Sequence, residues 1–259
     1  MKKRIVLGAA VLLLALAGSA SAEKLFEFSG TVEGHTRGVT LFRHLVELLN
    51  PESMEMIIDQ EPDNSGKLRH IYLDVRGAVI DDVRIENLKS EATFAELNPI
   101  RDWAAKKTRP LEVRGAASAT FEGTILEEDV NALVRKYLDL HTNSKWRHIT
   151  LDFRKDSLFV KGYYHQDSPW SDLAIEVTSG LEVKGGKELW LKDYRLVINT
   201  AEKTDLIHEE IRKVQPLFSL RGFTFPVSID SFRITPDSIT FSTLTKPKPF
   251  TGRTYRFTR

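Results

Sequence analysis

TILEEDVNALVRKYLDL, residues 124–140, is the stretch that decides the fold predicted for this chain. Thr124 is a good N-cap, and Glu127 three residues later completes a capping box. Three consecutive acidic residues in the first turn are stabilised by the helix dipole. The apolar residues that follow share the spacing of one helical face: Leu126, Val130, Leu133, Val134, Tyr137 and Leu138. The stretch therefore predicts a long amphipathic helix that lies against a sheet.

Most of the chain around this helix is typical of β-strands. Residues 68–75 alternate between polar and apolar side chains, as a strand with one buried face does. After the helix, residues 149–160 and 229–241 each predict two strands joined by a tight turn at an Asp-Ser pair. Two shorter helices are predicted at 39–49 and 205–214, and an irregular excursion at 98–109. The pattern predicts an α+β fold with an antiparallel sheet.

Residues 1–22 have the three parts of a secretory signal peptide. A basic start precedes the apolar run Ile5–Ala17, and Ala20-Ser21-Ala22 is a typical cleavage site. The alternative, an uncleaved anchor, would need a longer apolar run, since a spanning helix takes ~20 residues. We expect a signal peptide at 1–22, a single domain at 23–245, a C-terminal tail at 246–259, and a location in the periplasm or cell envelope.

Composition excludes several classes of protein. The 259-residue chain has a formal net charge of +1, so a nucleic-acid partner is not expected. Cysteine is absent, which excludes disulfides, thiolate metal sites and acylation on an N-terminal cysteine. The seven histidines show no metal-binding spacing. No GxSxG, P-loop or GxGxxG motif occurs in the sequence. We therefore expect no enzymatic activity, no metal and no cofactor.

Four segments in this order resemble the DUF2993, or LmeA-like, phospholipid-binding family of bacterial envelopes. They are GAASATFEGTILEEDVNALV, LDFRKDSLFVKG, LAIEVTSGLEVKGGKELWLKDYRLVI and FTFPVSIDSFRITPDSITFST. The earlier segment IYLDVRGAVIDDVRIENLKSEA also resembles the family. The resemblance covers roughly residues 41–243. It implies a strongly curved antiparallel sheet wrapped around the long helix, similar to tubular lipid-binding proteins.

The resemblance also implies a phospholipid partner, with the acyl chains held between helix and sheet in envelope lipid homeostasis or maintenance. The candidate lipid-binding residues are the helix stripe and a wall of small residues: Leu126, Val130, Leu133, Val134, Tyr137, Ala117 and Ala119. The alternative for the stripe is an ordinary hydrophobic core. The alternative function is a non-catalytic envelope protein that binds a protein partner through a sheet edge or the basic tail.

The C-terminal tail combines basic residues with aromatic ones and contains no acid. Basic residues are attracted to anionic membranes, and aromatic residues anchor at the interface. The candidate membrane contacts are Lys246, Lys248, Phe250, Arg253, Tyr255 and Arg256. The alternative is a solvated terminus without a fixed structure.

Overall fold

The computed structural model describes residues 24–80, 82–99, 111–140, 145–165, 172–204, 208, 211–212, 215–221 and 226–259. The predicted signal peptide, most of the excursion at 98–109 and most of the helix at 205–214 lie outside these residues. The described helices are α1 (Arg37–Leu49) and α2 (Glu127–Leu140). The described strands are β1 (Leu25–Ser29), β2 (Ser53–Ile58), β3 (Lys67–Ile80), β4 (Val83–Leu97), β5 (Val113–Gly115), β6 (Ser118–Leu126), β7 (Trp146–Arg154), β8 (Ser157–His165), β9 (Asp172–Lys184), β10 (Glu188–Ile198), β11 (Ala201–Glu202), β12 (Phe218–Ser219), β13 (Ser231–Ile234), β14 (Ser238–Ser242) and β15 (Arg253–Thr258).

The strands form two sheets, which makes the fold α+β as predicted. The first has nine strands in the order β1-β15-β2-β3-β4-β6-β14-β13, with β5 paired to β4. Only the β1–β15 pair among these strands is parallel, so this sheet is mixed. The second has six antiparallel strands in the order β11-β10-β9-β8-β7, with β12 paired to β10. Both hairpins predicted around Asp-Ser turns are confirmed as β7–β8 and β13–β14.

Phe218 and Ile229 join the cores of the two sheets. The ring of Phe218 in β12 lies 5.0 Å from that of Phe241 in β14. The amide of Ile229 donates to the carbonyl of Gly186, which precedes β10. Phe153, Leu158 and Leu181 of the six-stranded sheet belong to the same buried cluster as the nine-stranded sheet's core. The two sheets therefore share one continuous hydrophobic core.

The helix that packs into this core is α1. The Thr36 hydroxyl caps its first turn by accepting from the Val39 amide, and Asn50 ends it in the left-handed conformation. Its buried face contains Leu41, Phe42, Leu45 and Leu49. In contrast, α2 has no fully buried residue. The expectation that residues 124–140 form the organising helix is thus corrected, because the helical face buried in the core belongs to α1.

The start of α2 also differs from the prediction. Residues 124–126 are the end of β6, where Thr124 pairs with Asn87 on one side and with Thr240 on the other. Pairing on both sides extends the strand, so Thr124 cannot serve as the N-cap. The helix begins at Glu127, whose amide donates to the carbonyl of Asp237. The predicted capping box is therefore wrong.

The C-terminal tail is part of the fold, which corrects the domain boundary at 245. Residues 253–258 form β15, which lies between β1 and β2. Tyr255 is fully buried, with its ring stacked 4.8 Å from Phe26 and 5.7 Å from Phe42. A buried ring cannot touch a membrane, so Tyr255 is not a membrane contact. The segment is a strand because Tyr255 and Phe257 alternate with outward polar residues.

The other candidate membrane contacts are engaged on the surface of the nine-stranded sheet. Lys246, Arg253 and Arg256 form ion pairs with Glu122, Glu61 and Glu55, at 3.0, 3.0 and 2.6 Å. The amide of Lys248 donates to the Glu91 carboxylate. The Phe250 ring stacks on His70, with 3.7 Å between ring centroids. These contacts hold residues 246–256 along the sheet, so the segment is not a free basic arm.

Candidate functional site

One face of the six-stranded sheet is apolar along its whole length. Strand pairing places the side chains of this face in four rows across the sheet. One β-bulge in β7 and one in β10 shift which residues of these strands point to this face. The rows are Phe153–Leu158–Ser179, Leu151–Val160–Val177–Leu196, Gly162–Ile175–Ile198 and Trp146–Tyr164–Leu173. We call this surface the inner face.

The inner face is most buried at the end next to the shared core. The first row, next to the shared core, is fully buried. In the second row Val160 and Val177 are half-buried, whereas Leu196 is buried. In the third row Ile175 and Ile198 are half-buried beside a buried Gly162. In the last row Trp146 is 38% exposed. An apolar face of this kind is closed at the shared core and open at the far end, near the start of β7.

The opposite face of the same sheet is polar. Lys161 in β8 forms an ion pair with Glu176 in β9, at 3.7 Å. The Arg154 guanidinium lies 3.7 Å above the Phe159 ring, and the Lys184 ammonium 4.2 Å from the Trp190 ring. Charged groups that cover aromatic rings are typical of a solvated surface. The candidate binding surface is therefore the inner face alone.

Helix α2 runs along β7, the edge strand of the sheet. The Glu127 carboxylate accepts from the Phe153 amide at 2.5 Å. The Asn131 side chain makes two bonds to Leu151, accepting from its amide at 2.9 Å and donating to its carbonyl at 2.7 Å. These side chains satisfy backbone groups that an edge strand otherwise leaves open to other chains. The helix thus forms a wall beside the inner face.

An ion-pair cluster fixes the first turn of α2 to the nine-stranded sheet. Arg84 in β4 donates to Asp129 of the helix at 2.9 Å, to Glu86 at 2.7 Å and to Glu52 at 2.9 Å. Partial burial opposes the charge on Arg84, but the bonds to these carboxylates outweigh it and raise its pKa. Asp129 is the most buried of the three carboxylates. The ion pair of α2 with β4 and its hydrogen bonds to β7 are made by residues in the N-terminal half of the helix.

Replacing Asn131 with alanine tests how firmly α2 is held. The substitution leaves the amide and carbonyl of Leu151 without their side-chain partner, so we expect the free energy of unfolding to fall by about 1–3 kcal/mol. Urea unfolding measures the change, with Lys136→Ala as the control because Lys136 is exposed on the same helix. Equal midpoints for the two variants would show that the Asn131 bonds do not hold the helix.

The structure brings only part of the predicted lipid-binding set together. Leu133 and Val134 are half-buried on α2 beside β7, Val130 packs against the core, and Tyr137 is 60% exposed near the helix end. Leu126 is the last residue of β6. Ala119 packs against the core, and Ala117 is exposed. Seven strand residues, about 23 Å, separate Ala119 from Leu126, so the alanines do not form a wall opposite the helix.

Sequence reasoning missed the inner face itself. Its signal was present in the alternation of residues 173–183, where Leu173, Ile175 and Val177 lie on one side and charged or small residues on the other. Residues 158–164 alternate less clearly, because Phe159 and Tyr163 occupy the polar face. Alternation indicates which residues share a face, but only strand pairing shows that these faces join into one surface.

Clusters of metal ligands are absent from the described part of the chain. No group of three or more His, Asp or Glu side chains there could hold an ion. Among the helices described above, none has the length and apolar character needed to cross a membrane.

Comparison with known proteins gives one match. The family model described as LmeA-like phospholipid-binding matches residues 46–243, about three quarters of the chain. The match includes all of β7–β10 and α2. No curated protein and no solved structure matches the chain.

Proposed function

Because the chain belongs to the LmeA-like phospholipid-binding family, we propose that it binds a phospholipid whose acyl chains lie on the inner face of the six-stranded sheet. The observation that carries this proposal is an apolar face that is fully buried next to the shared core and only half-buried at most positions beyond it, with Trp146 exposed at the far end. Half-buried apolar rows that end in an opening are suited to a ligand that is itself apolar.

The dimensions of the inner face suit an acyl chain. From Leu158 to Tyr164 the strand advances six residues, about 20 Å. One leaflet of a bilayer contributes about 15 Å of hydrocarbon, half of a ~30 Å core. Leu133 and Val134 of α2 would contact the ligand from the side of β7. The polar headgroup would then lie at the open end, near Tyr164 and Tyr137, whose hydroxyls can bond to it.

We further propose that the protein acts outside the cytoplasm, in the periplasm or cell envelope, where it would serve lipid homeostasis or maintenance. The signal peptide predicted at residues 1–22 supports this location. We consider it a binding protein rather than an enzyme, because the family is a lipid-binding one. A curved sheet that encloses the ligand, as in tubular lipid-binding proteins, is part of this proposal.

The test is native mass spectrometry of the purified protein, prepared without detergent, followed by lipid extraction. We expect phospholipid at close to one molecule per chain. In the Val177→Trp variant the indole fills the second row of the inner face, and we expect about a tenfold loss of loading. Thr178→Trp is the matched control, because the neighbouring side chain points to the opposite, polar face.

Two results would overturn the proposal. One is a protein mass without lipid that stays unchanged after incubation with liposomes. The other is equal loading of the Val177→Trp and Thr178→Trp variants, both folded by circular dichroism, because lipid would then be bound away from the inner face.

A further inference from the structure

The end of α2 and the start of β7 lie together at the open end of the inner face. Glu127 forms a hydrogen bond with Phe153, and Asn131 forms one with Leu151. Residue numbers therefore rise along the helix as they fall along the strand, so the two segments are antiparallel. Four helical residues advance about 6 Å, and two strand residues about 6.6 Å, so the two segments stay in step. Continuing this relation brings Arg135 to the β-bulge between Arg147 and Thr150.

Large apolar and aromatic side chains are exposed at this end. Leu140 is 72% exposed, Tyr137 60% and Trp146 38%. The Trp146 ring lies edge-on to Tyr164, with 5.3 Å between centroids, and both belong to the last row of the inner face. Exposed Leu, Tyr and Trp side chains together are uncommon on a solvated surface and indicate an interaction site.

The same region carries more basic side chains than acidic ones. Arg135, Lys136, Lys145 and Arg147 are all exposed. Among the described residues, the carboxylates at this end are Asp139 and Asp172, and Asp172 lies 2.7 Å from the His165 ring. Arg135 and Lys136 precede Tyr137, whereas Lys145 and Arg147 flank Trp146. We call these side chains the basic corner: Arg135, Lys136, Tyr137, Leu140, Trp146 and Arg147.

We propose that the basic corner docks the protein on an anionic bilayer surface and aligns the open end of the inner face with the lipids. The excess of cations is complementary to anionic headgroups, where each Lys or Arg adds ~1 kcal/mol. Tyr and Trp are enriched at the membrane interface, and Leu140 can enter the hydrocarbon boundary. Arg, Tyr and Trp are also enriched at protein interfaces, so binding to vesicles that contain no protein is the measurement that distinguishes the two partners.

Docking at this corner would shorten the path of the ligand. The apolar side chains of the corner continue into the last row of the inner face through Trp146 and Tyr164. An acyl chain leaving the bilayer would therefore pass onto apolar side chains without crossing water. This inference rests on the proposed lipid binding for its purpose, although docking itself can be measured separately.

The test uses vesicles of phosphatidylcholine alone and of phosphatidylcholine mixed with phosphatidylglycerol. We expect the protein to sediment with the mixed vesicles at low salt and to be released by high salt. Replacing Arg135, Lys136 and Arg147 together with glutamine should weaken this binding about a hundredfold. The matched control replaces Lys24, Lys155 and Arg233, which are exposed cations elsewhere, so the net charge changes equally.

The absence of cysteine allows one label to locate the contact. A Leu140→Cys variant carrying an environment-sensitive fluorophore should shift to shorter wavelength on mixed vesicles, whereas a Lys155→Cys variant should not. Equal binding by the two triple variants, no shift at position 140, or no vesicle binding at all would overturn the proposal. Docking without lipid loading would support the basic corner while contradicting the proposed function, and loading without docking would do the reverse.

Discussion

A chain that ends at Gly252 should not fold. The truncation removes β15, which pairs with β1 on one side and β2 on the other, so β1 loses its partner as well. It also removes the buried rings of Tyr255 and Phe257. Deleting one buried aromatic side chain costs about 3–5 kcal/mol. Two such losses approach the typical total stability of 5–15 kcal/mol.

Far-UV circular dichroism and urea unfolding measure this effect. We expect the truncated chain to lose its cooperative transition and to aggregate through the exposed edge of β2. The control is Arg256→Gln in the full chain, which breaks an exposed ion pair with Glu55 and should cost less than ~1 kcal/mol. A truncated protein with the wild-type midpoint would mean that residues 253–259 are dispensable, as the original interpretation of a separate tail requires.

Gly38→Ala should be strongly destabilising, although alanine is the better helix former by about 1 kcal/mol. Gly38 lies in the first turn of α1 against the ring of Tyr255. An added methyl group would overlap the Tyr255 hydroxyl and lie 2.8 Å from its ring carbon Cζ. Tyr255 cannot move aside easily, because Phe26 and Phe42 pack against its ring. We expect a net loss of about 3 kcal/mol, at the upper end for overpacking.

Thermal and urea unfolding of Gly38→Ala should be compared with Gly115→Ala. An added methyl group at Gly115 meets no atom within 4 Å, and its backbone needs no positive φ, so that variant should be nearly neutral. Combining Gly38→Ala with Tyr255→Phe removes the hydroxyl and should restore part of the loss. If Gly38→Ala and Gly115→Ala unfold alike, α1 does not approach Tyr255 as closely as described.

The sequence predicts α1 and most strands because their signals are local. Thr36 and Asn50 sit at the ends of an apolar stripe, and residues 68–75 alternate regularly. The strand β15 had such a signal too, since Thr254, Tyr255 and Phe257 favour strands. Its partners are β1 and β2, about 200 residues earlier, and the preceding prolines and cations favoured a different interpretation.

The candidate site was harder to predict for a physical reason. Periodicity identifies the apolar side of α2, but not whether that side packs tightly or stays half-exposed. The burial of that side depends on how α2 is aligned with β7, which the bonds between Asn131 and Leu151 fix. No local sequence pattern contains this alignment. Leu133 and Val134 are half-buried on that side of α2, and their role in lipid binding stays a prediction, while the inner face beside them was missed.

The position of the last strand also constrains how the chain reaches its native state. Because β15 is inserted between the first two strands, the nine-stranded sheet cannot close until residue 258 is available. During synthesis, β1 would have no hydrogen-bonding partner and the aromatic cluster around Phe42 would be incomplete. Contacts of such long sequence separation also make folding slow. Folding should thus be completed only after the whole chain has emerged, and a chaperone that shields the early strands would be most valuable during this interval.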